Sequence, residues 1–194
     1  MLFPALAQRW DMAADPDPST DGDFDYRGGE VARPGLVEDL ESLVDGDVRF
    51  DSYSRQLYAT DASAYEVTPI GVVFPESTAD VAAVVDYCAE REVPVLPRGG
   101  GTSLAGQTVN EAVVLDFTAQ MDGIGEVDPE TATITADPGA ILAEINAACA
   151  PHGLKFAPDP AWRDKSALGG AIGNNSTGSH SLKYGKTDAY VESC

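Results

Sequence analysis

The sequence predicts an α+β fold, and three observations carry that expectation. Short apolar runs, "IGVVFP", "VPVLP" and "AVVLDF", have the length and β-branched character of buried strands. Between the first two lies "STADVAAVVDYCAERE", a helical stretch opened by Ser77 or Thr78 with Asp80 in the capping turn. A strand, a helix and a strand in that order favour parallel pairing with a right-handed crossover, which predicts a small α/β subdomain containing parallel strands.

Before that unit, Leu36, Val37, Leu40, Leu43 and Val44 recur at helical spacing until Gly46, so residues 35–66 form an N-terminal helical segment, although "SYSRQLYATDASAYE" carries little pattern. After it, "IGEV" and "TATITA" flank the turn "DPET", and "AILAEINAACAPHG" is a helix begun after Pro138 and ended near Gly153. Helices and strands are thus mixed throughout residues 67–194. Residues 1–34 differ in kind. From Asp11 to Glu30 seven acids stand against the single Arg27, among prolines and glycines, a composition that predicts a disordered acidic tail.

A chain of 194 residues with 43% apolar content has enough material for a hydrophobic core. Its 32 acidic and 12 basic residues give a net charge of −20, which argues against nucleic-acid binding because phosphate backbones require clustered Lys and Arg. Such a surface repels itself, and salt relieves that repulsion, so the composition suits a halophilic-type, salt-rich cytoplasm. Cys88, Cys149 and Cys194 form no CxxC pair, which indicates neither a zinc site nor a disulfide framework and fits a reducing compartment. There is no apolar run of about 18 residues to span a membrane.

Two glycine-rich stretches carry the chemistry. The first, "PRGGGTSLAGQT", has Walker A spacing from Gly101, but Gln107 replaces the lysine and a strand follows where a helix is required. A Rossmann fingerprint fails on spacing and on the same missing helix. Two readings remain: a simple connection using glycine for positive φ, or a run of backbone N–H groups forming an anion-binding concavity without a lysine. The second reading suits a shared diphosphate, such as the bridge of a dinucleotide. A Cβ at Gly100 is then expected to intrude where phosphate oxygens sit while sparing the fold.

The second stretch, Pro158 to Asp188, is "PDPAWRDKSALGGAIGNNSTGSHSLKYGKTD". It reads as a long surface loop, or as a site where neutral amides and hydroxyls meet a heterocycle with donors and acceptors, such as the pyrimidine edge of a flavin. His180 sits in it as a candidate for proton transfer, against the plainer reading of a solvated or hydrogen-bonding residue.

In order and separation, "TPIGVVFPESTADVAAVV", "PRGGGTSLAG" and "SALGGAIGNNSTGSHSLKYG" resemble the strand–helix opening, pyrophosphate loop and second cofactor segment of the PCMH-type (vanillyl-alcohol-oxidase-like) FAD-binding domain. The glycolate oxidase subunit and D-lactate dehydrogenase group, including long forms fused to an iron–sulfur domain, is the part of the family most similar to it. The resemblance covers residues 67–194 and implies one FAD-binding domain that begins a second α/β subdomain and is incomplete at the C-terminus. The resemblance implies FAD held by Arg98, Gly99, Gly100, Gly101, Thr102 and Ser103, with Gly106 supporting the turn. It places Pro158, Asp159, Ser166, Gly169, Gly170, Asn174 and Gly178 along the adenine, ribityl and isoalloxazine parts. Some members attach FAD through a histidine where this chain has Thr102, so binding is expected to be noncovalent.

The implied activity is oxidation of a small 2-hydroxy acid such as D-lactate or glycolate, with electrons passing to a quinone or an iron–sulfur carrier. Another oxidase or reductase of the same fold, such as a sugar or lactone oxidase, and a non-catalytic cofactor-binding fragment are the alternatives. The chain stops at "YVESC", which reads as the start of a strand. It is therefore expected to be an N-terminal fragment, with the catalytic base, the substrate ligands and any iron–sulfur cluster further on. The expected place is the cytoplasm, at most peripheral to a membrane respiratory chain.

Overall fold

The computed structural model describes residues 29–194, so most of the expected acidic tail lies outside the described residues. Six helices and six strands follow in the order α1 (Pro34–Glu41), β1 (Asp47–Arg49), α2 (Ser52–Leu57), β2 (Gly71–Phe74), α3 (Thr78–Glu90), β3 (Val95–Arg98), β4 (Val113–Asp116), β5 (Ile124–Asp128), β6 (Thr133–Ala136), α4 (Leu142–Cys149), α5 (Leu168–Gly173) and α6 (Ser181–Tyr184). Val31 already bridges to Asp51, and the Ala32 N–H donates to the Phe50 carbonyl at 3.0 Å. The paired body thus begins inside the stretch assigned to the tail.

The first four strands form one sheet in the order β1-β2-β4-β3. β2 and β3 both run parallel to β4, and β1 closes the sheet antiparallel to β2. The strand–helix–strand unit is thus present, but its two strands are separated by β4 rather than paired directly. β1 went unseen in the sequence because three residues, Asp47–Arg49, carry one buried side chain, Val48, and too little alternation to register. β2 and β4 are buried along their whole length, as strands covered on both faces must be. On one face Val73, Val113 and Leu115 pack with Leu40, Val84 and Cys88; on the other Val72 and Val114 pack with Tyr58, Phe74 and Leu96.

Asp80 ties this layer together. Its carboxylate, 4% exposed, accepts N–H groups from Asp45 (3.3 Å), Gly46 (3.2 Å) and Glu76 (2.9 Å), while Ser77 caps α3 by accepting the Asp80 N–H. Burial alone raises such a carboxyl's pKa, but these bonds outweigh it and hold Asp80 below its ordinary value.

The β5–β6 hairpin and α4 build a second core around Ala140, Leu142, Ile145, Cys149 and Ala171. The stretch from Pro158 to Asp188 is not one loop: α5, α6 and a 3-10 turn at Thr187–Tyr190 lie within it. Residues 191–194 make no strand, contrary to the expectation for "YVESC".

Candidate functional site

Parallel neighbours β3 and β4 need a connection that returns to the far end of the sheet, and here residues 99–112 make it without a helix. The glycine loop therefore starts at the carboxyl end of an edge strand, where open sheets bind ligands. Its anchor is Arg98. The guanidinium donates to the carbonyls of Tyr58 (3.3 Å), Thr60 (2.8 Å) and Thr108 (2.9 Å), and lies over the Tyr58 ring at 5.1 Å. Desolvation lowers the Arg98 pKa, and both Tyr58 and Asp116 oppose that loss. Tyr58 in turn donates to Asp116 at 2.6 Å; burial first, then that carboxylate, raises the phenol's pKa. Asp61 holds the other end of the loop by accepting from the Thr108 hydroxyl at 3.0 Å.

The loop leans on the second segment. Thr102 Oγ1 and Ser166 Oγ are 3.1 Å apart, and a Cβ built on Gly100 would stand 1.7 Å from the Lys165 carbonyl oxygen. Glycine at 100 is thus required by the approach of another backbone, which corrects the expectation that a side chain there would disturb only the phosphates. Gly101 adopts φ +62, the left-handed conformation that favours glycine.

Between loop and segment lies a cavity of about 410 Å³, within the roughly 300–1,000 Å³ of small-molecule sites. Gly99, Gly100, Gly101, Thr102, Ser103, Ser166, Gly170 and Asn174 line it. The remaining candidates lie elsewhere. Arg98 spends its donors on carbonyls, Gly106 makes a φ +76 turn against Tyr65, and Gly169 packs on Pro138.

Pro158, Asp159, Gly178 and His180 form a separate cluster. A Cβ on Gly178 would reach the carbonyls of Pro158 and Asp159 at 2.0 and 2.1 Å. Asp159 meets Lys155 at 2.9 Å, Arg163 at 3.2 Å and His180 Nδ1 at 3.3 Å. The Lys155 bond leads in holding the Asp159 carboxyl below its ordinary pKa. His180 is engaged there and does not line the cavity beside the glycine loop.

Sequence reasoning missed Trp162 and Gln107 as lining residues, while Ser176 and Thr177, which also line the cavity, belong to the amide and hydroxyl stretch it had singled out. Trp162 carried a signal, being a large aromatic residue set among small and polar ones.

Two properties suit the cavity to an anionic dinucleotide. Among the described residues, the backbone N–H groups of Gly99 through Ser103 have no hydrogen-bond acceptor, and all five residues line the cavity. Every residue lining it is uncharged, in a chain of net charge −20, so no carboxylate opposes a diphosphate there. Among the described residues no group of three or more His, Cys, Asp or Glu is arranged to hold a metal ion, and no helix is long and apolar enough to cross a membrane.

Comparison with known proteins agrees with this chemistry. A family model described as an FAD binding domain matches residues 69–194. The D-2-hydroxyglutarate dehydrogenase of Escherichia coli (strain K12) is 37% identical over 149 residues, covering 75% of this chain and 15% of that protein. Glycolate oxidase subunit GlcD of Bacillus subtilis (strain 168) is 37% identical over 152 residues, covering 76% of this chain and 32% of that protein. The chain thus spans a third or less of these two relatives. Among solved structures, an alkyldihydroxyacetonephosphate synthase aligns over 82% of this chain and 36% of its own, with TM-score 0.69 at 22% identity. The 6-hydroxy-D-nicotine oxidase from Arthrobacter nicotinovorans aligns over 75% of this chain and 32% of its own, with TM-score 0.63 at 23% identity. Those two likenesses concern the fold alone, and it is the PCMH-type fold that the motifs resembled. With that family model covering residues 69–194, the chain belongs to the FAD binding domain family, and its cofactor is FAD.

Proposed function

We propose that this chain is the FAD-holding part of a dehydrogenase that oxidises a small 2-hydroxy acid. The observation that carries the reading is the row of five acceptor-free N–H groups at 99–103, on residues that line an uncharged cavity. The names of the relatives supply the substrate class: D-2-hydroxyglutarate and glycolate are both 2-hydroxy acids.

In this reading the N–H groups of Gly99 to Ser103 hold the diphosphate, with the Thr102 and Ser166 hydroxyls beside them. Asn174, Ser176 and Thr177 supply neutral donors and acceptors for a flavin edge. Arg98, Tyr58 and Asp116 orient the loop from behind without touching the ligand. Bound there, FAD would supply the hydride-accepting redox chemistry for a 2-hydroxy acid, with a quinone or an iron–sulfur carrier as the electron acceptor in this reading. With Thr102 at the position where some relatives carry a histidine, the cofactor is held noncovalently, so acid precipitation leaves the yellow colour in the supernatant.

Gly170 gives the test of the cavity. It lines the cavity, and a Cβ there meets nothing within 4 Å, so Gly170→Val leaves the protein's packing alone while filling ligand space. FAD retention is expected to fall at least tenfold with an unchanged thermal midpoint in the absence of FAD. Equal retention overturns the site. For the activity, the loaded protein in its longest natural form is mixed anaerobically with D-2-hydroxyglutarate, D-lactate or glycolate. Bleaching of the flavin absorbance by at least one of them supports the reading, and no bleaching by any of them rejects it.

A further inference from the structure

We propose that the cleft formed by Lys155, Ser179, His180, Lys183 and Tyr184 seats the carboxylate of a 2-hydroxy acid. The proposal deepens the function given above and rests on it for the identity of the acid. The cleft has a volume of about 560 Å³ and begins at Ser179, two residues beyond Thr177, which lines the FAD cavity. Two residues span at most about 7 Å, so the two cavities adjoin along one run of backbone.

A 2-hydroxy acid is an anion at neutral pH, and a chain of net charge −20 repels it over most of its surface. One region is the exception. Every lysine of the chain, Lys155, Lys165, Lys183 and Lys186, and both histidines, His152 and His180, fall between residues 152 and 186, where Asp159 and Asp164 are the only carboxylates. Lys155, Lys183 and His180 line the cleft, and no acidic residue does. A concave wall of one sign concentrates ligands of the other.

Asp159 gathers these cations without cancelling them. Its side chain is 10% exposed, and its backbone is held at φ 48, a left-handed conformation uncommon for residues other than glycine. Its Oδ2 accepts from Lys155 Nζ at 2.9 Å and from His180 Nδ1 at 3.3 Å, and its Oδ1 accepts from Arg163 at 3.2 Å. One carboxylate thus meets two full cations and an imidazole, and positive charge is left over. Lys183 adds an ammonium that pairs with no carboxylate among the described residues. It lies over the Tyr184 ring at 4.8 Å, and that ring meets the His180 ring edge-on at 6.4 Å. The turn is fixed as well: the Lys183 and Tyr184 N–H groups donate to the His180 carbonyl at 3.0 Å each, and the Gly178 N–H donates to Ser181 Oγ at 2.9 Å. An unpaired ammonium on an acid-free wall takes a carboxylate by charge-assisted hydrogen bonds, with the Ser179 hydroxyl as a neutral donor beside it. A single unpaired ammonium also balances one carboxylate rather than a doubly charged phosphate.

The test titrates the whole chain with D-2-hydroxyglutarate, D-lactate, the neutral amide lactamide and inorganic phosphate, and follows the ring-proton NMR signals of His180, assigned with His152→Gln. At least one acid is expected to shift those signals, and lactamide to leave them in place. Lys183→Gln should weaken that acid about tenfold, while Lys183→Arg and Lys186→Gln stay within about threefold of the parent. Retention of FAD by Lys183→Gln should stay within about twofold, and circular dichroism confirms that each variant is folded. Acid binding that is indifferent to Lys183→Gln, an equal response to lactamide, or no shift with any acid overturns the proposal and leaves the FAD site standing. Phosphate that binds as tightly as the acids marks a general anion cleft and equally overturns it. Loss of FAD together with the acid in Lys183→Gln gives the cleft to the cofactor and rejects the proposal. The 2-hydroxy-acid function itself falls only with the flavin-bleaching assay, so the two failures are told apart.

Discussion

Cys88 and Cys149 are buried in the two cores and Cys194 is exposed, a difference that no spacing rule conveys. Burial pushes the thiol pKa of Cys88 and of Cys149 up, so both are protonated and shielded at neutral pH. A thiol reagent on the native protein should therefore label one cysteine rapidly, and Cys194→Ser should remove that fast phase. Asp80 makes the corresponding case for charge. Its folded pKa lies below the ordinary value near 3.9, so its contribution is fully present above that pH and is lost as pH falls through the depressed pKa. Asp80→Asn should lower stability by about 2 kcal/mol at pH 7, a fall of about 5 °C in thermal midpoint. The difference from the parent should shrink as the pH drops through the acid range. A constant difference down to the acid transition would show that the carboxylate charge is not the source.

At the scale of elements, the glycine loop shows what local sequence conveys and what it does not. Three consecutive glycines followed by Thr102 and Ser103, with no lysine at 107, raised the reading of a lysine-free anion-binding loop beside that of a plain connection. That Gly100 also has to accommodate the Lys165 carbonyl was not legible, because the contact joins residues 65 positions apart. Arg98 shows the same limit. Beside a phosphate loop it reads as a ligand residue, but in the structure its three hydrogen bonds run to Tyr58, Thr60 and Thr108. Arg98→Lys should therefore act through the loop. A single ammonium cannot match the planar fork, so FAD affinity is expected to fall about tenfold and protease cleavage within residues 99–112 to rise. Weaker binding with unchanged cleavage would assign the guanidinium to the ligand instead.

Over the whole molecule, the site lies where two cores meet. The loop comes from the β1-β2-β4-β3 layer, and α5 is seated on the hairpin layer through Ala171, which both joins that second core and lines the cavity. Separation of the two cores would therefore dismantle the cradle, and FAD is expected to raise the cooperativity of unfolding as well as its midpoint. Charge acts at this scale too. With a net charge of −20, self-repulsion opposes the compact state, and unfolding free energy should rise as KCl is raised from 0.1 to 2 M. No rise would remove the salt-adapted reading of the composition. The sequence by itself determined the mixed α+β class, the strand–helix–strand opening and the two glycine-rich segments, because hydrophobic period, capping and glycine runs are local properties. Only the tertiary structure decided that β4 lies between β2 and β3, that Arg98 supports the loop from behind, and that Pro158, Asp159, Gly178 and His180 form a cluster apart from the cavity. It also brought Trp162 to the cavity wall. Those outcomes depend on which distant backbones approach one another, and no short stretch of the chain encodes that by itself.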